Sequence, residues 1–310
     1  MKIFVAGGTG VLGRRAVPLL VEAGHEVSVV SRSAEKAAAI RAQGAMPVDT
    51  SLFDRPSLTV AVAGHDAVIN LATHIPPVTK AARASAWSEN DRIRTEGATN
   101  LVDAALAAGA TRYVQESIAF IYPDSGDRWI DESVPLIDTP FTGAVLAAER
   151  AAARMTEAGG AGVVLRFGQF YAAESAHTQT MMSGAKRGWM MLPGSPDAYA
   201  VEIWADDAAA AAVAALDAPS GVYNVVDDEP ITRAEVAEVL AAAVGRTKLR
   251  WLPGMAQGVA TKKAPNLVTS QRVSNRAFKA VTDWQPSIAS FRDAAPVLLP
   301  NSARTAGAER

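Results

Sequence analysis

Near the start of the chain stands Gly7-Gly8-Thr9-Gly10-Val11-Leu12-Gly13, with the residue types and spacing that cradle a pyrophosphate. An apolar run, Ile3 to Ala6, precedes it, and Val17, Leu20 and Val21 follow at helical spacing. The order is therefore buried strand, glycine turn, helix N-terminus, whose exposed amides and dipole suit a phosphate. Gly7 permits the tight turn, Gly10 lets a phosphate approach the backbone, and Gly13 lets the helix lie close to the strand. Thr9, Val11 and Leu12 belong to the same cradle. The competing reading is a glycine-rich turn of structural value only.

A second chemical signal closes the next strand, Glu26 to Ser31. Dinucleotide binders that take NAD place a carboxylate there, against the ribose 2′-hydroxyl. This chain has Ser31-Arg32-Ser33, with Lys36 one turn on. No acid stands there to repel a phosphate, and Arg32 offers a planar fork to bind one. NADP is expected in preference to NAD, against the plainer reading of a solvated arginine at a loop edge. Two further loops leave the carboxyl ends of strands, where open sheets bind ligands. One carries Thr73 and His74 before the Pro76-Pro77 break, and the other runs Ser117 to Pro123 through Tyr122.

The elements that must position these groups alternate. Strands are expected at 44–48, 66–71, 111–116 and 162–166, with Phe167 to Tyr171 continuing the last. Helices are expected at 55–63, 88–108 and 139–158. This alternation predicts an α/β fold with a Rossmann-type, doubly wound parallel sheet covered on both faces. Residues 1–170 are read as the dinucleotide-binding domain. Beyond Ala172 the pattern loosens, and 175–199 shows little period. Short strands at 201–204, 222–226 and 249–252 and helices at 206–216 and 232–244 follow, the last with a Thr232/Glu235 capping box. Residues 171–300 are read as a smaller C-terminal substrate lobe interleaved with the first domain, 262–266 as a solvated loop, and 301–310 as a disordered tail.

At 310 residues and 49% apolar, the chain can hold one large domain or one and a half. A net charge of −2 gives no reason to expect nucleic acid or an anionic membrane surface. With no cysteine, disulfides, thiolate nucleophiles and zinc-thiolate sites are excluded, and no metal site is expected. The N-terminal apolar run is too short for a signal peptide. The most apolar run, Ala208 to Leu216, falls far below the ~20 residues a bilayer span needs. A soluble cytoplasmic protein acting on a small molecule is the expectation.

With these residues in view, the chain resembles the extended short-chain dehydrogenase/reductase superfamily, the NAD(P)-dependent epimerase/dehydratase group, over roughly residues 1–291. Gly7, Gly10 and Gly13 match its phosphate loop. The resemblance places Asp49, with Thr50, at the adenine, and Asn70-Leu71-Ala72 with Thr73 beside the cofactor. Gly97, Thr99 and Asn100 fall in the family's long helix. Arg166-Phe167-Gly168 with Tyr171 resembles the segment after its sixth strand. Trp204-Ala205-Asp206-Asp207 resembles its late aspartate pair, and Arg276 with Trp284-Gln285-Pro286 its C-terminal signature. The family often pairs its long helices across a homodimer.

The family's proton relay does not carry over. It uses a Tyr and a Lys four residues later on one helix face. With Glu149 as anchor, those positions hold Phe141 and Val145. The usual Ser or Thr position holds Ile118, beside Ser117, and Arg94 stands where the family often has Asn. The remaining groups near the expected nicotinamide are Tyr122, His74 and Ser117, with Tyr171 behind them. Two readings follow. In one, the chain is an atypical NADP-dependent oxidoreductase, or an epimerase- or dehydratase-like enzyme, for a small, fairly apolar carbonyl or polyol. In the other, it is a catalytically silent NADP-binding sensor. Trp189, Met190, Met191, Leu192 and Trp204 favour an apolar ligand pocket, and with it the enzyme.

Overall fold

Strand β1, Lys2–Ala6, is buried along its apolar residues because it lies inside a seven-stranded sheet. The computed structural model describes residues 1–76, 83–137, 140–252, 268–294 and 298. The expected solvated loop and C-terminal tail, and the second residue of the Pro76-Pro77 break, lie outside the described residues.

Beside the short pairs that hold β6 (Trp129–Ile130) and β9 (Trp189–Met190), the seven-stranded sheet contains β1, β2 (Glu26–Val30), β3 (Met46–Val48), β4 (Ala67–Asn70), β5 (Arg112–Ile118), β7 (Ala161–Phe167) and β11 (Gly221–Val225). Their order is β11-β7-β5-β4-β1-β2-β3, and every pairing is parallel. Strands fed by helical crossovers give this all-parallel order, buried on both faces. One face packs on α1 (Gly13–Glu22) and α8 (Ala205–Ala214) through Val17, Leu20, Ala208, Ala211 and Ala212. The other packs on α3 (Arg55–Val62), α5 (Ala98–Ala107) and α6 (Pro140–Glu157) through Leu58, Leu101, Ala148 and Ala152. The alanine bias serves these interfaces, where small side chains let helices lie close to the sheet.

Four local results differ from the sequence pattern. The helix expected at 88–108 is α4 (Ser88–Arg92), a π-helical turn over Ile93–Gly97, and α5. The strand expected to run on through Tyr171 breaks at Gly168. Its remainder, β8 (Gln169–Tyr171), leaves the sheet to pair with β10 (Glu202–Trp204). Strand β11 comes from residues expected in the smaller lobe, yet it pairs with β7 as an edge of the main sheet. Finally, 175–199 contains α7 (Ala176–Lys186), started by a Ser175 side chain that accepts from the Thr178 amide. Its polar and small residues hide the period; only Met181, Met182 and Ala185 show a core face. With α9 (Arg233–Ala243), α7 forms a third core around Tyr171, Leu240 and Phe291. Among the described residues no helix is long and apolar enough to cross a membrane.

Candidate active site

The glycine turn has the geometry of a cradle. Gly7 takes φ +82°, and a Cβ there would stand 2.4 Å from the Leu71 carbonyl carbon. A Cβ on Gly13 would stand 2.3 Å from the Gly7 oxygen, so α1 can begin only with glycine at that point. A Cβ on Gly10 would meet nothing nearer than 3.4 Å. Of the three, Gly10 alone would take a Cβ without a backbone clash. Helix α1 begins after Leu12 with no side-chain cap, which leaves its first amides to a ligand or water. The surrounding residues fit a bound dinucleotide. Arg32 is exposed just after β2 and Lys36 in the first turn of α2 (Ala34–Ala42), while Ser31 is buried. Asp49 is exposed after β3, and the buried Thr50 pairs its hydroxyl with Ser57 at 2.9 Å. Leu71 is buried against the turn, followed by Ala72 and the exposed Thr73 and His74. The His74 amide donates to Asn90 Oδ1 at 3.0 Å, and the Ala72 amide to Asn70 Oδ1 at 3.2 Å.

At the far ends of β5, β7 and β11, parallel register sets Ser117, Arg166 and Asn224 side by side. They face α6, which brings Glu149. Glu149 accepts from Arg166 Nε at 2.8 Å, from Arg166 Nη2 at 2.7 Å, and from Ser117 Oγ at 2.6 Å. Arg166 Nη1 donates to the Tyr122 hydroxyl at 2.8 Å, which donates in turn to Asn224 Oδ1 at 2.9 Å. The Asn224 backbone N–H donates to Glu132 Oε1 at 2.7 Å. The structure thus brings Ser117 and Tyr122 into one buried network and leaves His74 outside it. Tyr122 is 1% exposed and Ser117 fully buried, and both hydroxyls are engaged. Burial pushes the Tyr122 phenol above its usual range, against the pull of Arg166. Next to this network, Arg94 on the π-helical turn pairs with Glu116 of β5 at 2.8 Å. Burial raises the Glu116 carboxyl despite that pairing. Val145 on α6, which the resemblance sets at the Lys position, is buried.

A shallow cleft opens beyond the carboxyl ends of β5 and β7. Phe120, Leu192 and Tyr199 give it apolar walls; Gln169, Glu202, Arg233 and Gln271 give it polar ones. Leu192 is therefore the pocket residue of its apolar run, whereas Met190 is core. Gly168 lets β10 lie close to the end of β7: a Cβ there would stand 2.8 Å from the Glu202 backbone. Phe167 is buried in the main core and meets Phe170 edge-on. Sequence reasoning missed Glu202, Arg233, Gln169 and Gln271. The available signal was a charged residue inside the apolar run Val201-Glu202-Ile203. Among the described residues no group of acidic and histidine side chains could hold a metal.

Comparison with known proteins agrees with this geometry. A family model described as NAD(P)H-binding matches residues 7–219. The 3-diazoavenalumate denitrifying reductase of a Streptomyces species is 31% identical, over 94% of this chain and 98% of its own. The NAD(P)H azoreductase of Xenophilus azovorans is 27% identical, over 79% of this chain and 74% of its own. The crystal structure of human epimerase family protein SDR39U1 with NADPH superposes at a TM-score of 0.80 and 27% identity, over 96% of this chain and 99% of that one. A cradle for a nicotinamide dinucleotide on a parallel sheet thus has relatives over most of the chain. The chain belongs to the NAD(P)H-binding family, within the short-chain dehydrogenase/reductase and epimerase superfamily.

Proposed function

We propose that the protein is an NADPH-dependent reductase for small, flat, fairly apolar substrates that carry a conjugated C=O or N=N group. The observation that carries this reading is the cleft itself: aromatic and aliphatic walls with a few convergent polar groups, beyond the strand ends that follow the dinucleotide cradle. The azo and diazo chemistry in the relatives' names points the same way. When bound, the reduced dinucleotide supplies the hydride.

The chain's own residues hold and orient. The Thr9–Gly13 amides bind the pyrophosphate, and Arg32 binds the 2′-phosphate. Asp49 and Thr50 face the adenine side. Leu71, Ala72, Thr73, Phe167 and Gly168 flank the nicotinamide half. Ser117 and Tyr122 fix the strand ends through Glu149 and Arg166, and His74 stands at the exposed rim. A Tyr122→Phe variant that keeps its turnover number but melts earlier would support the fixing role over a proton-donating one.

The deciding assay follows NADPH oxidation with quinones, aromatic ketones and azo dyes. Turnover with at least one class is expected. Val145, buried where a ribose-binding Lys would stand, favours a second reading, a silent NADPH-binding sensor. Tight NADPH binding with no turnover on any class would select it.

A further inference from the structure

Glu202 is the charged residue of β10, and its side chain has nowhere in the protein to spend one oxygen. It is 6% exposed, and its Oε2 has no hydrogen-bond partner. It lines that cleft and also a small neighbouring hollow that holds Asp227 and Phe291. Its backbone is fixed there: the Asp227 amide donates to the Glu202 carbonyl at 2.9 Å, and Gly168 clears its path. Asp227 differs in that both its oxygens are used. Oδ2 accepts from the Tyr171 hydroxyl at 2.9 Å and Oδ1 from the Trp204 amide at 3.3 Å. A buried carboxyl with an idle oxygen is costly unless a ligand engages it.

We propose that Glu202 is the proton donor of this cleft, giving a hydrogen bond, and during reduction a proton, to the carbonyl oxygen or azo nitrogen of a flat aromatic substrate. The assignment rests on the reductase reading. The substrate gains a hydride, with its electron pair, from a reduced nicotinamide dinucleotide at the carbonyl carbon or at one azo nitrogen. The π pair moves to the oxygen or to the other nitrogen, which takes the proton of Glu202. Glu202 is left as a carboxylate and regains a proton from water. The products are an alcohol or hydrazo compound and the oxidised dinucleotide, so charge and electrons balance.

The charged surroundings suit a neutral acid. Burial pushes the Glu202 carboxyl well up, Asp227 pushes it further, and Arg233 on α9 pulls against both. Behind Asp227 stand Asp207 and Asp228, which raise it in turn, and Asp124 faces Arg233. A carboxylic acid kept neutral in this way can donate where a carboxylate can only accept.

The test uses the full chain with methyl red as the azo probe and phenanthrenequinone as the carbonyl probe. Infrared difference spectra at neutral pH are expected to show a protonated carboxyl band that vanishes in Glu202→Gln and persists in Asp227→Asn. Addition of either probe should shift that band. With NADPH, Glu202→Gln should lower kcat about 100-fold or more while KM stays nearly unchanged. The fall of wild-type kcat at high pH should be absent from the variant. Glu202→Asp, which keeps an acid, should recover part of the rate. Unchanged kcat and pH profile in Glu202→Gln would overturn the assignment, as would a band that neither probe moves, or failure of both probes to bind. If wild type binds a probe, shifts the band and oxidises no NADPH, the reductase reading falls while the hydrogen-bond donor role stands.

Discussion

Arg166 is a charged residue inside an otherwise apolar strand, and a buried guanidinium persists only when its donors are matched. Glu149 takes two of them and Tyr122 a third. Arg166→Ala would leave Glu149, itself largely buried, without its cation. The expected loss is about 3–5 kcal/mol, read as a lower urea midpoint at constant slope. The double variant Arg166→Met, Glu149→Leu should recover most of it, because removing both charges together leaves no uncompensated ion. Arg32 is the opposite kind of arginine, exposed at the end of β2. Arg32→Ala should therefore leave stability unchanged and weaken NADPH by about 1–3 kcal/mol. NADH should scarcely be affected; equal losses for both dinucleotides in calorimetric titration would refute the 2′-phosphate assignment. At this scale the sequence could be read at the cradle, where glycine spacing is itself the function. It could not be read at Glu202, because a lone charge in an apolar run marks the position but reveals neither its burial nor its idle oxygen.

At the scale of elements, the turn before α1 and the approach of β10 to the end of β7 both depend on missing side chains. Gly13→Ala would drive a methyl group into the Gly7 oxygen and the Gly8 Cα, at 2.3 and 2.4 Å. Backbone cannot rotate aside as a side chain does, so α1 must move. The expected cost is about 1–3 kcal/mol, with the melting temperature lowered and NADPH affinity reduced together. A variant that melts earlier but binds NADPH as wild type does would show that helix position and cradle are separable. The alternating strands and helices were legible because each strand is buried on both faces and each helix carries an apolar stripe. The π-helical turn at Ile93–Gly97 was not, since helical spacing on either side of it is undisturbed. Helix α2 (Ala34–Ala42) also escaped, with Ile40 its one buried residue. The exchange of β8 out of the main sheet depends on a glycine whose neighbour in space, Glu202, is distant in sequence.

For the whole molecule, the question is whether residues before and after Tyr171 can stand apart. Several ties argue that they cannot. Strand β11 completes the sheet beside β7. Helix α8 shares a core with α1, and Arg15 on α1 pairs with Asp206 on α8 and with Glu174. Asp207, buried on α8, accepts from the Ser287 amide at 2.8 Å, its hydroxyl at 2.6 Å and the Ile288 amide at 3.0 Å. The Trp284 indole donates to the Asp207 carbonyl at 2.9 Å, so the C-terminal segment is tied to the same helix. A molecule joined in this way should unfold as one unit. Cofactor binding at the first turn would then stabilise every part equally, by about 2.7 kcal/mol at a hundredfold excess over Kd. Hydrogen exchange with and without NADPH measures this directly. The slowest amides of α9, far from the cradle, should gain the same protection as those of β1. Protection confined to residues before Tyr171 would mean two units that open separately, and a fragment of residues 1–172 would then fold alone. One common increment requires that fragment to stay unfolded, because it lacks both the edge strand and the helix that cover its core.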